Sequence, residues 1–317
     1  MPFPGATERY RSWVLAKLPG NPEGLAQDQA GQIYASIYKT GEIVRVTPKG
    51  GYEHVAYVPS EQVGSEGITT GLEFDRNGNL YVAYMWHYSE HEEADPTHPA
   101  CRDSRDRYTG IYKVDKGSHH AEPVLTKADG WPGCFPDDIA IDDVGNLYVT
   151  DLTLSGIWKI KSGGSYSLWC SDPLLQWPPP PYYSYPEGAN DLVMDRKRQS
   201  LVVVTDGSPA IVRIPILADG TAGKPAIVAR DLTALDGVEL DEFGNIYVSE
   251  VTRNEISVFS PDGKNRVVIA TAQTAPIINP TSLVYRSGTL CTANMAFAAK
   301  IEPRSIVCIS GFRRPAK

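Results

Sequence analysis

The sequence predicts an all-β fold, a six-bladed β-propeller with four antiparallel strands in each blade. Two observations carry this prediction: a turn motif recurs along the whole chain at a blade-sized spacing, and the N-terminal stretch supplies the strand that the last repeat lacks. The 317 residues are 42% hydrophobic and 21% charged, a composition that excludes disorder and allows a large core. We therefore expect one propeller domain over residues 1–317.

The recurring motif is an aspartate, a glycine-containing turn and an apolar strand rich in tyrosine and valine. Its full forms are Asp75-Arg-Asn-Gly-Asn-Leu-Tyr-Val, Asp142-Asp-Val-Gly-Asn-Leu-Tyr-Val and Asp241-Glu-Phe-Gly-Asn-Ile-Tyr-Val, with partial forms at Asp28, Asp195 and Arg286. Such a turn between apolar strands predicts a β-hairpin. The six motif positions lie 47, 67, 53, 46 and 45 residues apart, and a period near 45 residues is typical of one propeller blade.

The strands follow in order from these turns. Blade one is the clearest, with strands expected at Gly24–Gln27, Gln32–Ile37, Glu42–Thr47 and Tyr52–Val58. Third strands recur at Gly110–Val114, Gly156–Ile160, Ala210–Ile214 and Glu255–Phe259. No amphipathic stretch of helical period competes with this interpretation.

The two ends of the chain predict that the ring closes. Blade six has strands at Ser282–Tyr285, Thr289–Ala293 and Ser305–Ser310, after which only seven residues remain. We expect Ser12–Leu18 to add the fourth strand, because a strand borrowed from the other terminus removes an exposed sheet edge.

Two intervals exceed the blade period. Residues 86–109 form a polar insertion in blade two. Its His87 and His91 have a zinc-ligand spacing, although a solvated loop is the favoured interpretation. Residues 176–186, before blade four, combine five prolines with aromatics that include Trp177 and Tyr183. A stiff polyproline segment is either the wall of a pocket for an apolar ligand or a rigid connector.

The charge and the termini exclude several classes of partner. A net charge of −8 and a sequence pI near 5.3 disfavour nucleic acid. No apolar run approaches the length of a membrane span, and the N-terminus has no secretory signal pattern. The five cysteines contain no CxxC pair, so we expect free thiols and a cytoplasmic protein.

The position five residues before each motif begins the innermost strand of a blade, where side chains point to the propeller axis. We call these six residues the channel ring: Glu23, Thr70, Asp137, Asn190, Asp236 and Thr281. Four of them carry carboxylate or amide oxygens, which suit a hard cation; Ca²⁺ is the leading candidate, with Mg²⁺, Mn²⁺ and Zn²⁺ as alternatives. Three carboxylates about 5 Å apart repel by roughly 3 kcal/mol per pair at an effective dielectric near 20. The competing interpretation is that Asp and Asn are here only as good turn residues.

The segments around three ring positions resemble the metal-binding motifs of the regucalcin/gluconolactonase/luciferin-regenerating-enzyme family. They are Pro22-Glu23-Gly24-Leu25, Gly188-Ala189-Asn190-Asp191-Leu192 and Leu235-Asp236-Gly237-Val238. That family consists of six-bladed propellers with a divalent ion in the channel, and it is related to diisopropylfluorophosphatase and the paraoxonases. The resemblance implies that Glu23, Asn190 and Asp236 are metal ligands. Asp137 stands where relatives usually have Asn, which leaves open whether it binds the ion, binds substrate or acts as a base.

We therefore expect a divalent-metal-dependent hydrolase of a lactone or related ester. The ion acts as a Lewis acid, and Asp236 acts as general base or, less favoured, as nucleophile. Thr70, Trp131, Trp177 and Tyr183 are the predicted substrate contacts, and the aromatic ones indicate a bulky, apolar small molecule. No nucleic acid or membrane partner is expected, and the sequence leaves the oligomeric state open.

Two alternatives remain at this stage. One is a metal-dependent cyclase or isomerase of secondary metabolism on the same fold, because fold and ion do not determine the reaction. The other is a non-enzymatic binding propeller with a structural ion. The strictosidine-synthase-like branch shares the fold but typically lacks the metal ligands, so the set of Glu23, Asn190 and Asp236 counts against it.

Overall fold

Six four-stranded antiparallel sheets make up the part of the chain that the structure, a computed structural model, describes. That part comprises Phe3 and residues 10–59, 67–86, 106–176, 188–296 and 304–311. Its only helical pieces are two short 3-10 turns at Lys127–Asp129 and Pro173–Leu175. Among the same residues, none forms a helix long and apolar enough to cross a membrane.

The strands alternate with tight turns along the chain. In order they are β1 (Arg11–Lys17), β2 (Pro22–Gln27), β3 (Ile33–Ile37), β4 (Glu42–Val46), β5 (Tyr52–Tyr57), β6 (Ile68–Phe74), β7 (Leu80–Met85), β8 (Gly110–Val114), β9 (Ala121–Thr126), β10 (Pro136–Ile141), β11 (Leu147–Asp151), β12 (Gly156–Ile160), β13 (Tyr166–Ser171), β14 (Ala189–Asp195), β15 (Ser200–Thr205), β16 (Ala210–Pro215), β17 (Ala226–Ala229), β18 (Leu235–Leu240), β19 (Ile246–Glu250), β20 (Glu255–Phe259), β21 (Arg266–Thr271), β22 (Pro280–Arg286), β23 (Thr289–Asn294) and β24 (Ser305–Ser310).

The sheets are arranged as the blades of a closed propeller. Blades one to five have the orders β2-β3-β4-β5, β6-β7-β8-β9, β10-β11-β12-β13, β14-β15-β16-β17 and β18-β19-β20-β21. The first strands of neighbouring blades contact one another in sequence, β2 with β6, β6 with β10, β10 with β14, β14 with β18, β18 with β22 and β22 with β2. The predicted six-bladed fold is confirmed.

Blade six is completed by the N-terminus. Its order is β22-β23-β24-β1, and β1 pairs antiparallel with β24 from Arg11 opposite Ser310 to Lys17 opposite Ser305. The closing strand predicted at Ser12–Leu18 is therefore present, shifted by one residue.

The prediction of free thiols is wrong for Cys134, Cys291 and Cys308, which are disulfide-bonded. Cys291 on β23 and Cys308 on β24 lie directly opposite each other and form a disulfide, whereas the sequence predicted free thiols. The two cysteines are 17 residues apart in sequence, and only the β23–β24 register brings them together. Cys170 is a buried free thiol, as predicted.

The repeated motif is a hydrogen-bonded turn between the first and second strands of a blade. In blade two, Asp75 Oδ1 accepts the N–H groups of Asn77 at 2.8 Å and Asn79 at 2.9 Å, and Asp75 Oδ2 accepts the Asn79 amide at 2.8 Å. Gly78 has φ 86°, a left-handed conformation that glycine adopts without a side-chain clash. The same bonds recur from Asp142 to Asn146 and from Asp241 to Asn245.

The hydrophobic core lies between blades rather than at the axis. Six large clusters, one for each pair of adjacent blades, combine residues of both: Leu25 and Ile33 with Val284 and Ile306 between blades one and six, for example; a smaller seventh cluster lies between blades two and three. The other five large clusters lie between blades one and two, two and three, three and four, four and five, and five and six. Because apolar packing between the faces of adjacent blades stabilises the ring, the inner strands can present polar side chains to the channel.

Candidate functional site

All six inner strands leave the sheet ladder at the same place. In each, the pairing with the second strand of the blade shifts over two residues, as in a β-bulge that redirects a side chain. The unpaired residues are Glu23–Gly24, Thr70–Gly71, Asp137–Asp138, Asn190–Asp191, Asp236–Gly237 and Thr281–Ser282. The first residue of every pair belongs to the channel ring, so the six ring positions are structurally equivalent.

Hydroxyl groups on the second strands hold three of these bulges. The N–H of Gly24 donates to Ser36 Oγ at 2.8 Å, and that of Gly237 donates to Ser249 Oγ at 2.7 Å. The N–H of Asp138 donates to Thr150 Oγ1 at 2.9 Å. A side-chain acceptor thus replaces the ladder carbonyl in blades one, three and five.

The ring residues of blades two, four and six hydrogen-bond to the next blade. Thr70 Oγ1 donates to the carbonyl of Pro136 at 3.1 Å, and Thr281 Oγ1 donates to that of Glu23 at 2.8 Å. The Asn190 amide nitrogen donates to the carbonyl of Leu235 at 3.3 Å. These bonds orient the three side chains and leave the amide oxygen of Asn190 as its remaining acceptor.

The ring residues of blades one, three and five are carboxylates with unsatisfied oxygens. Glu23 Oε2, Asp137 Oδ2 and Asp236 Oδ1 are buried and have no hydrogen-bond partner. A buried acceptor without a donor is costly, and the cost is greatest for an ionised group. Three such oxygens on alternate blades fit a cation as the missing partner.

A divalent cation fits this set of donors. The ring offers only carboxylate, amide and hydroxyl oxygens, which suit hard ions. Within the described residues, no group of three or more Asp, Glu, His or Cys side chains is arranged to hold a metal ion. The donors that the ring offers to an ion are the amide oxygen of Asn190 and the unpartnered oxygens of Glu23, Asp137 and Asp236.

The electrostatics of the ring agree with this fit. Burial raises the pKa of Glu23, Asp137 and Asp236 well above the usual carboxylate range. The negative charges of Asp137 and Asp236 raise the pKa of Glu23 further, and that of Asp236 raises the pKa of Asp137. In the absence of a cation, the ring therefore favours bound protons.

Sequence reasoning missed a second layer of acids in the channel. A cavity of about 270 Å³ is lined by Glu73, Asp138, Asp191 and Glu239, among others. Burial raises the pKa of Asp138 to about 7 and those of Glu73 and Glu239 to about 8. The available signal was positional: Asp138 and Asp191 follow a ring residue directly, and Glu73 and Glu239 lie three residues after one.

Of the predicted substrate contacts, two lie within the described residues. Thr70 is buried in the ring. Trp131 is 2% exposed and packs edge-to-face on Trp158, with ring centroids 6.0 Å apart, in the core between blades two and three. Contact with substrate would require Trp131 to leave this core. Trp177 and Tyr183, like His87 and His91, lie outside the described residues.

The fold and the ring define a six-bladed propeller with an acidic central channel, and the solved structures similar to it include gluconolactonases. A gluconolactonase from Xanthomonas campestris has a TM-score of 0.68 at 14% identity, over 95% of this chain and 89% of that one. A putative gluconolactonase has a TM-score of 0.65 at 15% identity, over 96% and 93%. The PQQ-bound aldose sugar dehydrogenase of Streptomyces coelicolor has a TM-score of 0.63 at 15% identity, over 97% and 99%. At these identities the likeness shows a shared fold, which is the fold that the family resemblance implies.

A curated relative matches a shorter stretch. "Protein STRICTOSIDINE SYNTHASE-LIKE 3" of Arabidopsis thaliana is 37% identical over 86 residues, which are 27% of this chain and 16% of the relative. The chain thus matches less than a fifth of that relative's length. A scan against models of protein families finds no match.

Proposed function

We propose that this protein is a divalent-metal-dependent hydrolase of lactones or related esters. The observation that carries the proposal is the set of three unpartnered carboxylate oxygens, on Glu23, Asp137 and Asp236, in alternate blades of one ring. The gluconolactonases among the similar structures support a lactone as the substrate class.

Glu23, Asn190, Asp236 and Asp137 would hold the ion through oxygen atoms, for which Ca²⁺ is the best match and Mg²⁺, Mn²⁺ or Zn²⁺ are alternatives. A bound divalent cation supplies Lewis-acid polarisation of the substrate carbonyl and stabilises developing negative charge. Thr70 and Thr281 keep the opening rigid through their bonds to neighbouring blades.

Asp236 is the proposed general base. It is the one carboxylate of the ring that is only partly buried, so water can reach it. Its Oδ1 is buried and would face the ion, so the other carboxylate oxygen would accept the proton from that water as it attacks the carbonyl. Asp137 is fully buried, which favours an ion-holding role for it over that of a base.

The substrate we propose is a bulky, apolar small molecule rather than nucleic acid, with Trp177 and Tyr183 as proposed contacts. The Cys291–Cys308 disulfide supports an oxidising compartment instead of the cytoplasm predicted from the sequence.

A second candidate reaction is a metal-dependent cyclisation or isomerisation. The 37% identity over 86 residues to a strictosidine synthase-like protein supports a reaction other than lactone hydrolysis; because that branch typically lacks the metal ligands, the identity does not bear on metal dependence. A binding propeller with a structural ion is the non-enzymatic alternative.

The test combines calorimetry with product analysis. Chelator-treated protein is titrated with Ca²⁺, and a panel of lactones and aryl esters is then incubated with and without chelator. Chelator-sensitive turnover that adds one water to the substrate supports hydrolysis. A product of unchanged mass supports the second candidate, and ion binding without turnover supports a structural ion. Absence of divalent-ion binding overturns all three.

A further inference from the structure

Two blades end their second strand with a hydroxyl residue followed by an acid. These pairs are Thr150–Asp151 on β11 and Ser249–Glu250 on β19. Both acids are fully buried. They lie opposite Pro136 and Leu235, the residues just before Asp137 and Asp236. The corresponding residues of the other four blades are not acids: Ile37, Tyr84, Thr205 and Asn294. The buried acid thus occurs in the two blades whose ring residue is an aspartate.

Asp151 holds the segment that leads into β10. Its carboxylate accepts the N–H of Cys134 at 2.8 Å and that of Phe135 at 3.2 Å. It also accepts the N–H of Leu154 at 3.0 Å and the indole N–H of Trp158 at 3.1 Å. Two of these donors belong to the segment and the other two fix the carboxylate itself, so the segment is held up to two residues before the ring aspartate.

Glu250 does the same in blade five with different partners. Its Oε2 accepts the N–H of Thr233 at 3.1 Å and pairs with Arg253 Nη1 at 3.1 Å, and its Oε1 pairs with Arg266. The segment it holds contains Asp231 and Ala234 at φ 65° and 42°. Such left-handed residues persist only where their surroundings hold them.

We propose that Asp151 and Glu250 are positioning residues for Asp137 and Asp236. A bulge takes each ring aspartate out of the ladder, so its direction depends on the residues on either side. On one side the hydroxyl of Thr150 or Ser249 binds the following N–H; on the other, the buried acid holds the preceding segment. The inference rests on the proposed function, because it concerns how the ring presents its unpartnered oxygens to an ion.

The variants Glu250→Gln and Asp151→Asn test this role in the full chain. Calorimetric titration with Ca²⁺ should show a dissociation constant about 10–100-fold higher than that of the unmodified protein, the usual cost of losing a group that orients metal ligands. Arg266 still has Glu255 as a partner at 2.7 Å, so Glu250→Gln leaves that guanidinium paired.

Asp195→Asn is the matched control. Asp195 is also a buried carboxylate, paired with Arg198 at 2.9 Å and Arg213 at 2.7 Å. It lies at the far end of β14, about 16 Å along the strand from the ring residue Asn190. This variant should lower the melting temperature and leave the Ca²⁺ dissociation constant unchanged, which a purely structural role for all three acids would not predict.

The outcomes separate this inference from the proposed function. If the unmodified protein binds no divalent ion, the proposed function fails. If it binds Ca²⁺ and both variants retain its dissociation constant within twofold, or if Asp195→Asn weakens binding equally, the positioning role is overturned. If one variant does not fold, the other decides; loss of folding in both overturns the proposal, because the acids then serve the fold itself.

Discussion

Asn190 and Asp236 occupy equivalent ring positions but use their side chains differently. The Asn190 amide donates to the carbonyl of Leu235, in the next blade, whereas Asp236 Oδ1 has no partner. Asp236→Asn should therefore raise the stability of the ion-free protein and Asn190→Asp should lower it. The two variants should also slow the reaction to different degrees.

Asp236→Asn keeps the size and one oxygen ligand but removes the charge and the proposed base. We expect an intact fold, weaker ion binding and a rate constant lowered by about 10² or more. Because the negative charge of Asp236 raises the pKa of both Glu23 and Asp137, the ion-free variant should also be more stable at neutral pH. Turnover at the unmodified rate with saturating ion would place the base elsewhere, and Asp137 would be tested next.

Asn190→Asp adds a fourth carboxylate to the ring and removes the bond to Leu235. We expect ion binding to be retained or tightened by the extra charge, and turnover to slow more mildly than in Asp236→Asn, because added negative charge makes the ion a poorer Lewis acid. Loss of the donor to a buried carbonyl should lower the ion-free free energy of unfolding by about 1–3 kcal/mol. Urea denaturation in chelator and Ca²⁺ calorimetry measure the two effects; ion binding weaker than in Asp236→Asn would contradict this expectation.

The sequence repeat predicted the positions of the six ring residues, but it did not predict which of them bond to a neighbouring blade and which keep an unpartnered oxygen. The six positions followed from one offset in each blade, because equivalent residues of repeated blades meet at the axis. The donor bonds of Thr70, Asn190 and Thr281 to neighbouring blades depend on how the blades pack, which a repeat pattern does not contain. The acids Glu73, Asp138, Asp191 and Glu239 lie at fixed offsets from ring residues, but the ring offset alone does not show which other positions of the inner strands also face the channel.

Among the elements, β1 is the one whose removal the structure makes most informative. It hydrogen-bonds along the whole of β24, and its Ala16 lies in the core between blades six and one, together with Leu18 just beyond the strand. Deletion of residues 1–18 should therefore lower the melting temperature by about 10 °C or more. Deletion of residues 1–9, which leaves β1 in place, is the control, and an equal effect of the two deletions would show that β1 does not close the ring.

The disulfide between β23 and β24 should add to the same closure. Its loop of 17 residues corresponds to about 3 kcal/mol of stabilisation through the unfolded chain. The double variant Cys291→Ala, Cys308→Ala should lose about this much in urea denaturation under non-reducing conditions. A reductant should lower the stability of the unmodified protein to the level of the variant and leave the variant unchanged; a variant as stable as the oxidised protein would contradict this.

Strand positions were predictable because each blade repeats one pattern of turn and alternation. The third strands β8, β12 and β20 have the predicted bounds, and β2 begins two residues earlier than predicted because Pro22 pairs with Ile37 ahead of the bulge. The cysteine pairing was not predictable in this way. It depends on the register of two strands joined by a long connection, for which the sequence carries no turn signal.

For the whole molecule, the closed ring of inner strands concentrates negative charge in the channel. Seven carboxyl groups there have raised pKa values: Glu23, Glu73, Asp137, Asp138, Asp191, Asp236 and Glu239. Burial is the largest cause for every one of them. The net charge of −8 gives no hint of this, because a total charge does not say where the acids meet.

These raised pKa values determine how the ion-free protein responds to pH. Glu73 and Glu239 have pKa values of about 8 in the folded protein and about 4.3 in an unfolded chain. Between these values the folded state holds protons that the unfolded state has released. The free energy of unfolding must therefore fall as the pH rises, by up to about 1.4 kcal/mol per pH unit for each such group.

Urea denaturation in chelator at pH 5.5, 7.0 and 8.5 should show this decline, and Glu239→Gln, which removes one of the titrating groups, should make it shallower. A divalent ion competes with protons for carboxylates, so Ca²⁺ should raise the melting temperature more at pH 8.5 than at pH 5.5. If the free energy of unfolding in chelator stays constant or rises with pH, other groups of the protein already stabilise the ionised form of the channel acids. An equal increase in melting temperature with Ca²⁺ at both pH values would mean that the ion binds away from these acids. The channel ring would then not be the metal site.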